Sequence, residues 1–333
     1  MIKVKIKGAH DIVVSNDNDN LVAGEEQAVI KTISNGICGS DMHRYSGKQK
    51  IEKPDNITGH EFGGIIKEVN SRKRPELTAG MKVTVNPVTG CGKCIYCEGG
   101  RKDLCDKLDF LGGMAEEVVV PVDNIIPLGS DFDMNYSSML EPAAVAEHAA
   151  ENLKGKNIII IGVGTIGLIE QQIAAGCDNN VMTIDISEFN LDMSRKLGSA
   201  FALKYSEVDE MLNKVRTFFK DENVDCVIDN VSADSTIDFS IRAVKHGGEV
   251  RMIGVNWGSL KFKFMTVLLG QIVLRPIHIY TDKHFTTAIE HIKNGIIRLQ
   301  PLVTKVFSLS EAKEAFEFKY SQPSVKVLLL NEK

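Results

Sequence analysis

The segment Asn157-Ile-Ile-Ile-Ile-Gly162-Val-Gly164-Thr165-Ile166-Gly167 limits the fold of this chain more than any other stretch. Its unbroken apolar run suits a strand buried on both faces, and such strands belong to parallel sheets covered by helices. The glycine spacing gives the following turn a specific job. Gly162 allows the tight bend, Gly164 lets a pyrophosphate approach the backbone, and Gly167 lets helix pack closely on strand. Thr165 and Ile166 complete the turn, and the helix N-terminus behind them presents N–H groups to phosphates. A lone glycine motif is weak, but here a regular alternation follows. Strands read at Val181-Met-Thr-Ile-Asp, Phe201-Ala-Leu, Val224-Asp-Cys-Val-Ile-Asp, Glu249-Val-Arg-Met-Ile-Gly and within 272–280. Helices read at 188–197, 207–219 and 235–244. Together they imply an α/β fold with a doubly wound parallel sheet and right-handed crossovers. Asp185 closes the second strand, where a carboxylate accepts hydrogen bonds from ribose hydroxyls and repels a 2′-phosphate. Ile186 and Ser187 supply no cation, so NAD is favoured over NADP.

The first 140 residues read differently, as short β-branched runs such as Val83-Thr-Val and Glu116-Glu-Val-Val-Val-Pro between Gly, Pro, Asn and Asp turns. The polar run Ser15 to Asn20 reads as a hairpin tip. A length of 333 residues leaves room for two domains. The change of character places a β-rich domain at 1–145, the nucleotide domain at 146–280 and a C-terminal return at 281–333. That return carries helices near 285–293 and after Ser310-Glu311, then the strand Val325-Lys-Val-Leu-Leu-Leu. A net charge of -5 offers nothing to a nucleic acid or an anionic membrane. No apolar run approaches the roughly 20 residues of a membrane span. The start, Met1-Ile-Lys-Val-Lys-Ile-Lys, alternates like a strand and lacks a signal-peptide core. The expected location is cytoplasmic.

Cys91, Cys94, Cys97 and Cys105 crowd into one polar loop, with Gly90, Gly92, Gly99 and Gly100 among them. Thiolates at that spacing can converge on one ion, and four sulfurs with no open position describe a structural zinc site. Iron–sulfur ligation is the alternative, and four reduced core cysteines the bland one; a loop this polar offers no core to bury them.

Three further segments hold polar groups: Cys38-Gly-Ser40-Asp41-Met-His43, Gly59-His60-Glu61 and Leu140-Glu141-Pro142. Singly each has an ordinary reading, as a buried cysteine, a capping serine, a satisfied histidine or an acid at a helix start. Beside a nucleotide fold and a metal lobe, they read together as a catalytic constellation.

These motifs, with the glycine turn and the ending Pro301-Leu-Val-Thr-Lys-Val-Phe-Ser-Leu-Ser-Glu-Ala-Lys, resemble the zinc-dependent medium-chain dehydrogenase/reductase family across essentially the whole chain. Within it they look most like the polyol dehydrogenases, sorbitol/iditol or galactitol-1-phosphate types. The resemblance implies a GroES-like β-rich domain carrying two zinc ions, joined to a Rossmann domain. Cys38 and His60 would bind a catalytic zinc, with Glu61 and Glu141 completing the sphere directly or through water. Ser40 would take the alcohol proton, His43 would pass it to solvent through the cofactor ribose, and Asp41 would hold the second ring nitrogen of His60. The implied reaction oxidises a secondary alcohol of a polyol or polyol phosphate to a ketone, with hydride passing to NAD. Threonine or 2,3-butanediol oxidation is the nearest rival, and a non-catalytic NAD-binding redox sensor is the rival of another class. A homodimer or homotetramer is expected. Arg44 reads as a solvated surface arginine or, beside His43, as a partner for a substrate phosphate. Glu147 stands at a position that the family usually fills with an apolar residue, and Glu170 and Gln171 look set to interrupt the helix after the glycine turn.

Overall fold

The computed structural model describes residues 1–220 and 223–331. They divide into one unit of Met1–Pro142 with Leu299–Lys333 and a second of Ala143–Arg298. In the first unit the strands are Ile2–Gly8 (β1), Asp11–Asn16 (β2), Gln27–Gly36 (β3), Glu61–Asn70 (β4), Lys82–Val85 (β5), Val88–Thr89 (β6), Asp109–Phe110 (β7), Glu117–Pro121 (β8) and Ile125–Pro127 (β9). Helices Gly39–Tyr45 (α1) and Ile95–Glu98 (α2) interrupt them, and Leu140–Ala150 (α3) follows. The second unit alternates Asn157–Ile161 (β10), Thr165–Gly176 (α4), Asn180–Asp185 (β11), Glu188–Lys196 (α5), Phe201–Lys204 (β12), Val208–Phe218 (α6), Val224–Asp229 (β13), Asp234–Ala243 (α7), Val244–Met252 (β14), Phe264–Gly270 (α8), Val273–Pro276 (β15) and Asp282–Lys293 (α9). The chain then adds Val303–Ser308 (β16), Ala312–Ser321 (α10) and Lys326–Leu330 (β17) to the first unit.

In the first unit the main sheet runs β16-β17-β3-β4-β5-β9, with β8 also paired to β3. Alternation along β3 sends Ala28 and Ile30 into a core with Phe62, Ile66, Val83, Val118 and Val120. A second core joins Val4, Ile6 and Ile37 to Phe316, Val327 and Leu329, so the C-terminal helix and strand are integral to this unit. The polar run at 15–20 is not a hairpin tip. β1 and β2 pair from Ile2↔Asn16 to Gly8↔Asp11, and the chain reverses at Ala9-His10, where His10 adopts φ 56°.

The second unit is a six-stranded parallel sheet in the order β12-β11-β10-β13-β14-β15. The chain works outward from β10 to one edge, then from β13 to the other. The switch point therefore lies between the carboxyl ends of β10 and β13, where ligands bind in such sheets. Helices cover the faces, burying Ile159, Ile161, Met182, Ile184, Val227 and Val250 with Met211, Phe219, Ile237 and Phe239.

Two expectations need correction. The unit does not end near 280 but runs to Arg298, because α9 belongs to it: His291 Nδ1 lies 2.6 Å from Glu147 Oε1, and Lys283 pairs with Glu151 at 2.8 Å. Nor do Glu170 and Gln171 break α4, which is continuous from Thr165 to Gly176. Both are buried but partnered: Asn230 Nδ2 donates to Glu170 Oε2, and Gln171 Nε2 donates to the Ser194 carbonyl.

Candidate active site

Cys38 is the N-cap residue of α1, extended at φ -84° and ψ 161°. Its N–H donates to Asp41 Oδ2 at 3.0 Å, closing a capping box that fixes the start of the helix. His60 and Glu61 enter from the start of β4. Gly59 before them takes φ 75° against Met114, a conformation and an approach that a side chain would spoil. Cys38 Sγ, a His60 ring nitrogen and a Glu61 carboxylate oxygen then lie within 4.8 Å of one another. This thiolate–imidazole–carboxylate set suits a zinc ion with an exchangeable position. Electrostatics point the same way. Burial alone would lower the His60 pKa, but Cys38, with Asp41 and Glu141, pushes it up to about 10. The cluster gathers negative charge that calls for a cation.

Glu61 has a second partner that sequence reasoning missed. Lys326 Nζ forms a buried ion pair with Glu61 Oε2, and both side chains are almost fully enclosed. Gly36 makes the room, since a Cβ there would overlap Glu61 Oε2. The available signal was Lys326 itself, a cation inside the apolar run of the last strand. Near it the half-buried Lys319 donates to the Val325 carbonyl at 3.2 Å, and burial and the charge of Lys326 push it down to about 8.

Asp41 does not play the role expected of it. Its Oδ2 holds the Cys38 N–H, and its Oδ1 makes no hydrogen bond, so it reaches His60 by charge rather than by contact. Arg44 Nη1 lies 3.7 Å from Asp41 Oδ1, so its guanidinium faces a buried carboxylate. Ser40, half-buried in the first turn of α1, and His43, exposed one turn on, share a helix face. Partial burial and the charge of Lys48 lower the His43 pKa, leaving it a neutral proton acceptor at pH 7. A cleft of about 240 Å³ opens beside it, lined by Ser46, Lys48, Lys319 and Tyr320. Glu141, at the start of α3, is buried.

The second metal candidate is self-contained. The sulfurs of Cys91, Cys94, Cys97 and Cys105 lie within 4.8 Å of one another. Cys94 caps α2, with Cys97 N 3.5 Å from its Sγ, while the N–H groups of Cys91 and Lys107 each lie 3.4 Å from Cys105 Sγ. A Cβ on Gly90 would come within 2.7 Å of Cys97 Sγ. The Lys93 N–H brings Cys91 down to about 6, whereas burial, with the neighbouring sulfurs, raises Cys97 to about 11. Four sulfurs this close cannot all ionise without a cation, and a divalent ion would resolve the conflict.

In the second unit Gly162 adopts φ 81° as it leaves β10, and a Cβ on Gly167 would overlap the Gly162 carbonyl oxygen. No atom lies within 4 Å of where a Cβ on Gly164 would stand, so the turn leaves an open cradle. Thr165 and Ile166 begin α4 behind it. Asp185 accepts from Val163 N at 2.8 Å, Ser187 N at 2.7 Å and Asn190 Nδ2 at 3.3 Å. It therefore ties the turn to the end of β11, and about one of its four lone-pair sites remains for a ribose hydroxyl.

Residues 24–130 match the alcohol dehydrogenase GroES-like domain family, and residues 162–294 match the zinc-binding dehydrogenase family. The chain belongs to the zinc-binding alcohol dehydrogenases. Among members of that family, it is 27% identical over 346 residues to L-threonine 3-dehydrogenase of Francisella tularensis, covering 98% of this chain and 97% of that one. It is 27% identical over 307 residues to sorbitol dehydrogenase of Bacillus subtilis, covering 88% and 86%. The crystal structure of galactitol-1-phosphate dehydrogenase from Escherichia coli superposes with a TM-score of 0.90 at 25% identity, covering 99% and 100%. As a zinc-binding alcohol dehydrogenase, the chain is an oxidoreductase acting on a small alcohol. None of its described helices is long and apolar enough to cross a membrane.

Proposed function

We propose that this dehydrogenase oxidises a secondary alcohol of a polyol or polyol phosphate to a ketone, passing hydride to NAD. The observation that carries the reading is the Cys38–His60–Glu61 cluster, with a second buried carboxylate at Glu141 acting on it. The sorbitol and galactitol-1-phosphate dehydrogenases among its relatives support the polyol class.

A zinc ion held by Cys38 and His60, with Glu61 and Glu141 nearby, would supply the Lewis acidity that makes an alkoxide accessible near neutral pH. The chain's own residues do the rest. Ser40, two residues from Cys38, accepts the alcohol proton as it gives up its own hydroxyl proton. His43, one turn on, receives it as a neutral base and releases it to the cleft at its side. The alcohol loses one proton and one hydride, and the products are ketone, NADH and the proton leaving through His43. Lys326 keeps Glu61 aligned. Cys91, Cys94, Cys97 and Cys105 hold a second, structural zinc. Asp185 selects NAD by accepting from the ribose hydroxyls and repelling a 2′-phosphate.

The test is NADH formation from sorbitol, galactitol 1-phosphate, threonine and 2,3-butanediol in parallel. The highest kcat/KM should fall on a polyol or its phosphate, and a clear preference for threonine or butanediol would sink the polyol assignment. The same assay with NADP should run far slower, and a preference for NADP would remove Asp185 from the ribose.

We further propose a cytoplasmic homo-oligomer joined through the edge of the parallel sheet. β15 is an edge strand with Val273 exposed, and α8 beside it exposes Phe264, Met265, Leu268 and Leu269. An unpaired edge flanked by apolar side chains is a site for a second copy of the chain.

A further inference from the structure

We propose that Glu170 and Asn230 form a buried brace that positions the glycine turn for a dinucleotide's pyrophosphate. This rests on the reading of Gly162, Gly164 and Gly167 as the phosphate site.

Asn230 follows β13 directly, and its N–H donates to the carbonyl of Ile161, the last residue of β10, at 2.9 Å. It therefore stands at the switch point, against the turn. A Cβ on Gly162 would lie 3.3 Å from Asn230 Cβ, and one on Gly167 would lie 3.3 Å from Asn230 Nδ2. Asn230 thus packs against both outer glycines, while the middle one faces open space. Glu170, one turn into α4 from Gly167 and fully buried, accepts from Asn230 Nδ2 at 2.7 Å. The pair links the helix behind the turn to the loop that flanks it.

A contact serving only to join α4 to β13 would be made more cheaply by apolar side chains. Instead Glu170 Oε1 and Asn230 Oδ1 are both buried without a hydrogen-bond partner, a cost that native interiors rarely carry without a purpose. Burial also pushes the Glu170 carboxyl up to about 8, despite the Asn230 amide and the charge of Arg251. It is neutral near pH 7 and puts no negative charge behind a turn built for phosphates.

The experiment measures the affinity of the intact zinc-loaded protein for ADP-ribose by calorimetry and for adenosine by ligand-observed NMR. Asn230→Ala and Glu170→Ala should each weaken ADP-ribose binding about tenfold, the upper end of what one lost hydrogen bond contributes, and leave adenosine within about twofold. Glu170→Gln should restore ADP-ribose binding to within about threefold, because an amide can still bond the Asn230 side chain. Gly164→Ala is the control, since its Cβ meets nothing in the free turn and fills the cradle. If Gly164→Ala weakens ADP-ribose but a folded Asn230→Ala does not, the brace is refuted and the turn stands. If Gly164→Ala binds ADP-ribose normally, the reading of the turn itself fails. Equal losses for ADP-ribose and adenosine would make the pair a structural contact and overturn the proposal. Should Asn230→Ala fail to fold, Asn230→Ser carries the same comparison.

Discussion

Replacing Lys326 with Met would isolate the buried ion pair behind the candidate catalytic cluster. The side chains of Lys326 and Glu61 are 2% and 1% exposed, so solvent cannot take over when one partner goes. Met fills much of the volume of the lysine stem and removes only the charge. Glu61 is then left as an uncompensated carboxylate beside Cys38, and breaking a buried pair in this way costs about 3–5 kcal/mol. The structure adds a condition. Glu61 lies within the cluster suited to a metal, and a cation there replaces the missing ammonium. The full loss should therefore appear in chelated protein and shrink when zinc is restored, with wild type treated identically so that changes at the four-cysteine lobe cancel. Glu61→Gln combined with Lys326→Met removes both charges and should recover at least about 2 kcal/mol of the single-mutant loss. The assay is guanidinium unfolding followed by far-UV circular dichroism, with hydrogen exchange of the β3, β4 and β17 amides reporting on the unit that holds the pair. A loss under about 1 kcal/mol in chelated Lys326→Met, or an equal loss in the double variant, would refute the reasoning.

Metal analysis should find two zinc ions per chain; Cys38→Ser should abolish turnover with the fold intact, while Cys94→Ser should lower stability, since a structural zinc contributes folding energy. One zinc per chain in carefully prepared wild type would contradict this. The raised pKa of Glu170, about 8, means the folded chain holds a proton that the unfolded chain releases above about pH 4.5, so this residue makes stability fall as pH rises toward 8. Glu170→Gln should therefore gain on wild type by roughly 3 kcal/mol between pH 5.5 and 8 in urea titrations, and a gap constant with pH would show that Glu170 titrates normally. Leu269→Asp, on the exposed face of α8, should shift the species seen by light scattering toward the monomer, and an unchanged mass would move the interface elsewhere.

Much of the second unit could be read directly from local pattern. β10, β11 and β13 are runs of Ile, Val and Met ending in Gly or Asp, and the structure places them adjacent in one parallel sheet. The four cysteines are equally legible, because three ligands spaced three residues apart on a tight turn, with a fourth eight residues on, meet almost whatever surrounds them. Errors arose where a local cue competed with a distant partner. The polar run at 15–20 suggested a turn, but pairing with β1 holds Ser15 and Asn16 in a strand. Glu170 and Gln171 look disruptive in the sequence because their partners, Asn230 and Ser194, come from other elements. The family resemblance points Asp41 at His60, but the N–H of its own helix cap lies closer to hand.

By itself the sequence determined which segments form the parallel sheet, where the glycine turn bends and which cysteines meet, since backbone preference and short spacings act within a few residues. Only the tertiary structure decided that Lys326 reaches Glu61 across 265 positions, that Asn230 stands beside Glu170 across 60, and that α9 belongs with the parallel sheet. Those neighbours are set by strand order and register, which depend on the packing of the whole unit. A side chain's charge is written in the sequence, but what it faces in a low-dielectric interior depends on which strands lie side by side.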